Sequence, residues 1–175
     1  MTTRSASAAS DVYKRRQQGN HNPYCQDNEI TWIDWSKPDD DLIGFTAWVL
    51  SLRRQLLPLG DQWYSGQSDT LGLHDLHWLN GNGEVMQDQA WDDNSERVLG
   101  CLIGQPGRAR APLLLLVNPD AEDCDFMLPA GVWQGVLDTA HPRGVTRWQG
   151  QGEAPLPLPA HSLMLLVAAG AKVQF

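Results

Sequence analysis

The 175-residue sequence has few cysteines, few basic residues and no apolar run long enough to span a bilayer. Cys25, Cys101 and Cys124 are scattered without a CxxC spacing, which argues against a disulfide framework or a zinc site. We therefore expect reduced thiols in a cytoplasmic protein. The apolar runs Leu113–Val117 and Leu163–Val167 are far shorter than a transmembrane helix, so we expect no membrane partner.

Positive charge is also scarce. The sequence has 13 Lys and Arg residues and 21 Asp and Glu residues, which gives a formal net charge of −8. A negative surface repels phosphate backbones, so we expect no nucleic-acid partner. The sequence Gly81–Glu84 is a turn rather than a phosphate-binding loop, and we expect no cofactor. The chain is also shorter than a complete (β/α)₈ barrel, which needs at least ~200 residues.

One amphipathic helix is predicted at Leu42–Leu57. The carboxylates of Asp39–Asp41 cap free N–H groups at its start, and Pro58 and Gly60 end it. An apolar stripe follows the helical period through Leu42, Phe45, Val49, Leu52 and Leu56. A lone helix cannot bury such a stripe, so it must pack on a sheet, a partner or a barrel.

After Gly60 the sequence changes to short apolar segments separated by Gly, Pro, Asn and Asp, which is typical of an antiparallel β-sandwich. The predicted strands are Asp75–Leu79, Arg97–Ile103, Leu113–Asn118, Asp125–Leu128, Val132–Leu137, Leu163–Ala168 and Lys172–Phe175. Prolines 155, 157 and 159 alternate with leucines, which favours an extended edge segment. The predicted fold class is mainly β: an antiparallel sandwich preceded by a polar loop and one α-helix.

Clusters of ionisable side chains are better explained by solvation than by chemistry. Acidic runs such as Glu122–Asp125 fall in predicted turns, so we assign no catalytic residue. His74 and His77 lie at a predicted strand edge, where residues three apart point to opposite faces of the sheet. We therefore expect no shared metal site.

The polar tract Gln17–Trp35 reads QQGNHNPYCQDNEITWIDW. Asn and Gln favour local hydrogen bonds to the backbone, which predicts an ordered loop at Gln17–Asn28. Amides and carboxylates suit sugar hydroxyls, and an aromatic ring can stack on a pyranose face. The alternative is that the amides satisfy the loop's own backbone, while Trp32 and Trp35 anchor it.

This tract resembles one found in bacterial glycogen debranching enzymes of the isoamylase type, in the α-amylase superfamily. A weaker similarity extends to Phe175 through Trp78, Gly83, Met86, Trp91, Leu113–Asn118, Leu128, Pro129, Trp133 and Leu137–Thr139. The family has an apolar strand and a Gly-Asp-Glu step where this chain has Asp11–Arg16. We therefore expect residues 1–16 to be disordered or foreign to the family, through truncation, a frameshift or a misassigned start.

The resemblance implies three segments: residues 1–16, residues 17–60 as the end of a catalytic barrel, and residues 61–175 as a C-terminal β-sandwich. The family hydrolyses α-1,6 branch linkages in glycogen or limit dextrin. Its catalytic carboxylates belong to barrel strands that precede the matched segment, so we predict no activity for this chain alone. The loop borders the substrate cleft in the family, and the residues expected to contact glucan are Asn20, Asn22, Tyr24, Asp27 and Trp32.

Two other functions fit the same residues. The first is an α-glucan-binding module, in which aromatic side chains form a surface that stacks on sugar rings. The alternative for the same side chains is packing in the core. The residues are Trp63, Tyr64, Trp78, Trp91, Trp133 and Trp148. The second is a structural domain that docks on a separate catalytic barrel, or on itself, through the stripe of the Leu42–Leu57 helix.

Overall fold

A computed structural model describes residue 36 and residues 38–56, 65–68, 74–92, 95–104 and 111–169. Contacts divide the chain into two units, Met1–Ile43 and Gly44–Phe175. The described residues of the first unit include the start of the helix, and the second unit contains the sheets. The predicted loop Gln17–Asn28 and the predicted strand Lys172–Phe175 lie outside the described residues, and the division at residues 16 and 60 stays a prediction.

The helix α1 spans Asp40–Leu56, close to the predicted bounds. Asp39 caps it, because its Oδ1 accepts a hydrogen bond of 2.9 Å from the backbone N–H of Leu42. Two aspartates lie in the first turn and two arginines in the last, which complements the helix dipole at both ends. No helix in the described ranges is long and apolar enough to cross a membrane.

Eight described strands follow the helix. They are β1 (His77–Leu79), β2 (Leu99–Ile103), β3 (Leu113–Asn118), β4 (Cys124–Met127), β5 (Val132–Asp138), β6 (Gln149–Gln151), β7 (Pro155–Leu158) and β8 (Ser162–Ala168). Six of them form one antiparallel sheet in the order β1-β2-β3-β8-β5-β6, and β4 pairs with β7 in a second sheet. The prediction of a mainly β, antiparallel sandwich is confirmed.

The six-stranded sheet is covered on both faces, which explains the continuous apolar runs in β3 and β8. One face packs against the two-stranded sheet, and its core includes Leu102, Leu114, Leu116, Phe126, Leu156, Leu158, Met164 and Leu166. The other face packs against α1, and its core includes Leu52, Leu56, Cys101, Ile103, Leu113, Val136, Leu137 and Val167. Successive residues of a strand therefore enter two different cores.

The small sheet explains the proline alternation. In β7 the prolines are exposed and the two leucines are buried, and both strands of a two-stranded sheet are edge strands that tolerate missing N–H donors. Asn118, at the end of β3, is buried and ties the two sheets together. Its Nδ2 lies 3.1 Å and 3.0 Å from the carbonyl oxygens of Leu158 and Pro159, and its Oδ1 accepts the N–H of Asp120.

Strand β6 was not predicted from the sequence. Its residues Gln149–Gln151 carry no apolar side chain, so they show no period-two pattern. Pairing with β5 places Gly150 opposite Trp133, and the neighbouring strand rather than local propensity fixes this segment as a strand.

Cys101 and Cys124 are free thiols, as expected. Burial raises the pKa of Cys101 to about 11. Burial also raises the pKa of Cys124, and the negative charges of Asp120, Asp125 and Asp123 raise it further. Both sulfurs are therefore protonated near neutral pH and have the character of structural rather than reactive cysteines.

We predict opposite effects of alanine at two glycines. A Cβ on Gly100 would lie 2.7 Å from Cζ of Phe126, so Gly100→Ala should lower the free energy of unfolding by about 1–3 kcal/mol. Gly44 lies in α1 with nothing within 4 Å of an added Cβ, so Gly44→Ala should raise it by about 0.5–1 kcal/mol. Urea unfolding measures both, and equal stabilities of the Gly100→Ala variant and the native chain would contradict the packing of β2 on β4.

We also predict slow thiol labelling in the folded chain. In a Cys25→Ser variant at about pH 8, a disulfide reagent should modify Cys101 and Cys124 much more slowly than in denaturant, where thiols have a pKa of about 8.5. Burial raises the pKa of Cys101 to about 11. Its labelling rate should therefore continue to increase at pH values higher than the pKa of an unfolded thiol, because the thiolate is the reactive form. Rapid labelling of both thiols under native conditions would show that these side chains are accessible.

Candidate functional site

The sequence-predicted glucan contacts do not fall in the described part of the structure. Asn20, Asn22, Tyr24, Asp27 and Trp32 all lie outside the described residues. Their role at a substrate cleft stays a prediction, and a candidate site has to be sought among the residues that the structure describes.

The most prominent such feature is an exposed pair of tryptophans. Trp78 lies in β1 and Trp91 in a 3₁₀ helix, Asp88–Asp92. Their ring centroids are 6.0 Å apart and their planes are inclined by 78°, an edge-to-face arrangement. Trp78 is 38% exposed and Trp91 is 52% exposed. Edge-to-face pairs stabilise each other by about 0.5–1.5 kcal/mol, so the two rings support one another at the surface.

A compact turn brings the two tryptophans together. Asn80 Oδ1 accepts the backbone N–H groups of Asn82 and Glu84, at 3.1 Å and 3.0 Å, and Gly83 adopts a φ of 76° that favours glycine. Leu79 then forms an isolated bridge with Val85. The N–H of Met86 donates to the carbonyl oxygen of Trp78 at 2.8 Å. The chain therefore doubles back along β1 and carries the 3₁₀ helix to the side of Trp78.

Polar groups flank the pair. Gln87, Asp88 and Asp92 are exposed on the segment that carries Trp91, and Gln87 Nε2 donates to the carbonyl oxygen of Val85 at 3.3 Å. Two indole rings bordered by an amide and two carboxylates form an amphipathic surface. Such a surface can stack on an apolar ring face and accept hydrogen bonds from hydroxyl groups.

The other tryptophans of the predicted aromatic surface do not join this pair. Trp133 is 4% exposed and its Nε1 donates to the carbonyl oxygen of Pro129 at 2.9 Å. Trp148 is partly buried against the core between the two sheets. Both are packing residues, which excludes them from a stacking surface. Trp63 and Tyr64 lie outside the described residues.

The two histidines are arranged differently from the prediction. The rings of His74 and His77 do not point to opposite faces, because their centroids are only 5.6 Å apart. The reason is that His74 precedes β1 and a bend at Asp75 separates the two, so the period of a strand does not apply. In the described ranges, no group of three or more His, Cys, Asp or Glu side chains is placed to hold a metal ion.

Asp75 holds the segment before β1 in place. Its Oδ2 accepts the backbone N–H groups of Ser65 and Gly66 at 2.9 Å and 2.8 Å, and its Oδ1 accepts the Ser65 hydroxyl at 2.9 Å. Burial raises the pKa of Asp75, but these hydrogen bonds together outweigh burial and hold the pKa below its usual range. The carboxylate is therefore charged at neutral pH and is occupied by its own loop.

A half-open cavity of about 470 Å³ lies between α1, strand β5 and the segment 145–147 that precedes β6. Its volume is within the range of small-molecule sites. Three lining side chains are apolar, Trp48, Val136 and Val145, and three are polar, Gln134, Thr146 and Arg147. None of these lining side chains is a carboxylate, so the cavity has no group for acid–base catalysis by Asp or Glu.

Comparison with known proteins places this geometry in context. No protein-family model matches the chain. Glycogen debranching enzymes from Yersinia pseudotuberculosis and Yersinia pestis are 34% identical to it over 164 residues, which are 91% of this chain and 22% of those enzymes. The glycogen debranching enzyme of Serratia proteamaculans is 34% identical over 163 residues, again 91% of this chain and 22% of that enzyme.

The chain therefore spans about a fifth of the length of the curated relatives that it matches. At this identity the match extends over nearly the whole of the chain rather than over one motif. The resemblance to bacterial glycogen debranching enzymes is confirmed, and the chain corresponds to one portion of those enzymes.

Proposed function

We propose that the chain serves glycogen debranching as a non-catalytic portion of the enzyme, formed by a β-sandwich and the helix packed on it. The relatives' name is the basis for the reaction, the hydrolysis of α-1,6 branch linkages in glycogen or limit dextrin. A cytoplasmic location is part of the proposal, because free thiols at Cys101 and Cys124 suit a reducing compartment.

The observation that carries the proposal is the position of the buried carboxylates. Glycosidases of the retaining type need two carboxyl groups about 5 Å apart that face one glycosidic bond. Among the described residues only Asp75 and Asp138 are buried acids. Asp75 accepts hydrogen bonds from its own loop, and Asp138 Oδ1 accepts the backbone N–H of Ala140 at 2.9 Å.

Each of these carboxylates therefore stabilises a turn. His141 adds a second partner for Asp138, with its Nε2 3.8 Å from Oδ2. The remaining acids of the described ranges are exposed or partly exposed, where water keeps them solvated. This arrangement supports a chain that does not break a glycosidic bond by itself.

We predict no release of linear chains when the purified, folded chain is incubated with branched limit dextrin. The physical reason is that the two buried carboxylates of the described ranges, Asp75 and Asp138, are each held by hydrogen bonds within their own turns. Reducing-end release over time measures the activity, with a full-length Yersinia debranching enzyme at equal molar concentration as the positive control. Branch-specific release that persists after repurification would overturn the proposal, and its loss in Asp75→Asn or Asp138→Asn would then identify the acid.

A second candidate function, docking on another protein surface, is favoured by the outer side of α1. The predicted stripe is largely covered, because Leu52 and Leu56 are buried and Phe45, Trp48 and Val49 pack against the same core. Leu50, however, is 43% exposed to water. An apolar helix side that water contacts is typical of a protein–protein contact. The occupant that we propose is a second copy of the chain, with a separate catalytic barrel as the alternative.

We expect Leu50→Glu to shift the chain toward monomer. A buried glutamate without a partner weakens an interface strongly, whereas an exposed one has little effect. Sedimentation velocity over a wide range of concentrations measures the shift, and Val145→Glu is the matched control because Val145 is similarly exposed but lies outside α1. A native chain that stays monomeric at every concentration would contradict self-association and leave the barrel as the occupant.

A further inference from the structure

We propose that the Trp78–Trp91 pair is a contact site for an α-glucan chain, in which a pyranose ring stacks on an indole and its hydroxyl groups bond to the flanking polar side chains. The inference rests on the proposed role in glycogen debranching, which supplies the identity of the sugar polymer. The site lies within the β-sandwich, and none of its residues belongs to the predicted loop Gln17–Asn28.

Packing does not explain the position of these two rings. The described structure has two hydrophobic cores, and neither contains Trp78 or Trp91. Trp133 shows what a packing tryptophan does in the same domain, since it is 4% exposed and its N–H is bonded. Trp91 is 52% exposed, although burial of so large a side chain would contribute about 1.5–3 kcal/mol to folding.

The tryptophan pair is held in place before any ligand binds. Trp78 belongs to a strand paired with β2, opposite Cys101. The hydrogen bond from Met86 to Trp78, the bridge at Val85 and the bond from Ala90 N–H to the Gln87 carbonyl fix the segment that leads to Trp91. A ring that is already fixed loses little rotamer freedom on binding, which favours ligands that make few contacts per ring, such as the units of a glucan chain.

The segment that carries the two rings is negatively charged. The segment from residue 77 to residue 92 contains no Lys or Arg, whereas Glu84, Asp88 and Asp92 are exposed within it. Stacked aromatic rings also bind nucleotides and nucleic acids, but those ligands need positive charge for their phosphates. An acidic border therefore selects a neutral ligand that has an apolar ring face and donates hydrogen bonds.

The angle between the rings favours a polymer over a single sugar. With planes inclined by 78°, the two indoles form a corner rather than one flat platform. Successive glucose units of an α-1,4-linked chain turn relative to one another, so adjacent units can present a face to each ring. A flat, β-linked glucan would engage only one of them.

Affinity electrophoresis in native gels that contain glycogen tests the proposal. The native chain should be retarded as the glycogen concentration rises, and Trp91→Ala and Trp78→Ala should each weaken apparent binding by about tenfold or more. Trp91→Phe should retain part of the affinity because it keeps an aromatic face. Val132→Ala, an exposed apolar residue of β5 outside the site, is the matched control and should bind as the native chain does.

Two additions make the result decisive. Soluble linear maltooligosaccharide should compete with glycogen, whereas cello-oligosaccharide should not, and urea unfolding of each variant shows whether the fold is intact. The glucan site would be overturned if glycogen did not retard the native chain. It would also be overturned if the folded Trp91→Ala and Trp78→Ala variants were retarded as much as the native chain. Either result leaves the limit-dextrin assay unaffected, so the failure of this inference is distinguishable from the failure of the proposed function.

Discussion

Burial of the six-stranded sheet on both faces is the constraint on which the rest of the structure depends. Strands β3 and β8 lie at its centre, and their side chains alternate between the core under the small sheet and the core under α1. Removing either α1 or the two-stranded sheet would expose a row of leucines to water. The cost in folding free energy would be about 25 cal/mol for each Å² of apolar surface exposed. Asn118 links the small sheet to the large one, because its buried amide donates hydrogen bonds to the carbonyl groups at the end of β7.

The position of the tryptophan pair follows from this arrangement. Strand β1 lies at one edge of the large sheet, where its free side needs protection from pairing with another chain. The turn at Asn80–Gly83 and the returning segment cover that edge through the bridge between Leu79 and Val85. The same returning segment carries Trp91 to Trp78. Protection of an edge strand and construction of a rigid aromatic surface are therefore achieved by one piece of chain.

Three aspartates of the described residues have the same structural use. Asp39 caps α1, Asp75 holds the segment before β1, and Asp138 stabilises the turn after β5. Each carboxylate accepts backbone N–H groups that would otherwise lack partners. Carboxylates used in this way are structural, which supports the proposal of a non-catalytic portion.

The sequence by itself determined the elements whose signals are local. The aspartates before α1, the apolar runs of β3 and β8, and the alternating prolines of β7 each predicted the structure found there. Burial on two faces, the strand β6, and the close approach of His74 and His77 depended on the tertiary structure. The same is true of the choice of Trp78 and Trp91, rather than Trp133 and Trp148, as the exposed rings. The physical reason is that composition and periodicity indicate which residues avoid water. Whether a given aromatic ring is exposed depends instead on the residues that pack against it, and these are distant in the sequence.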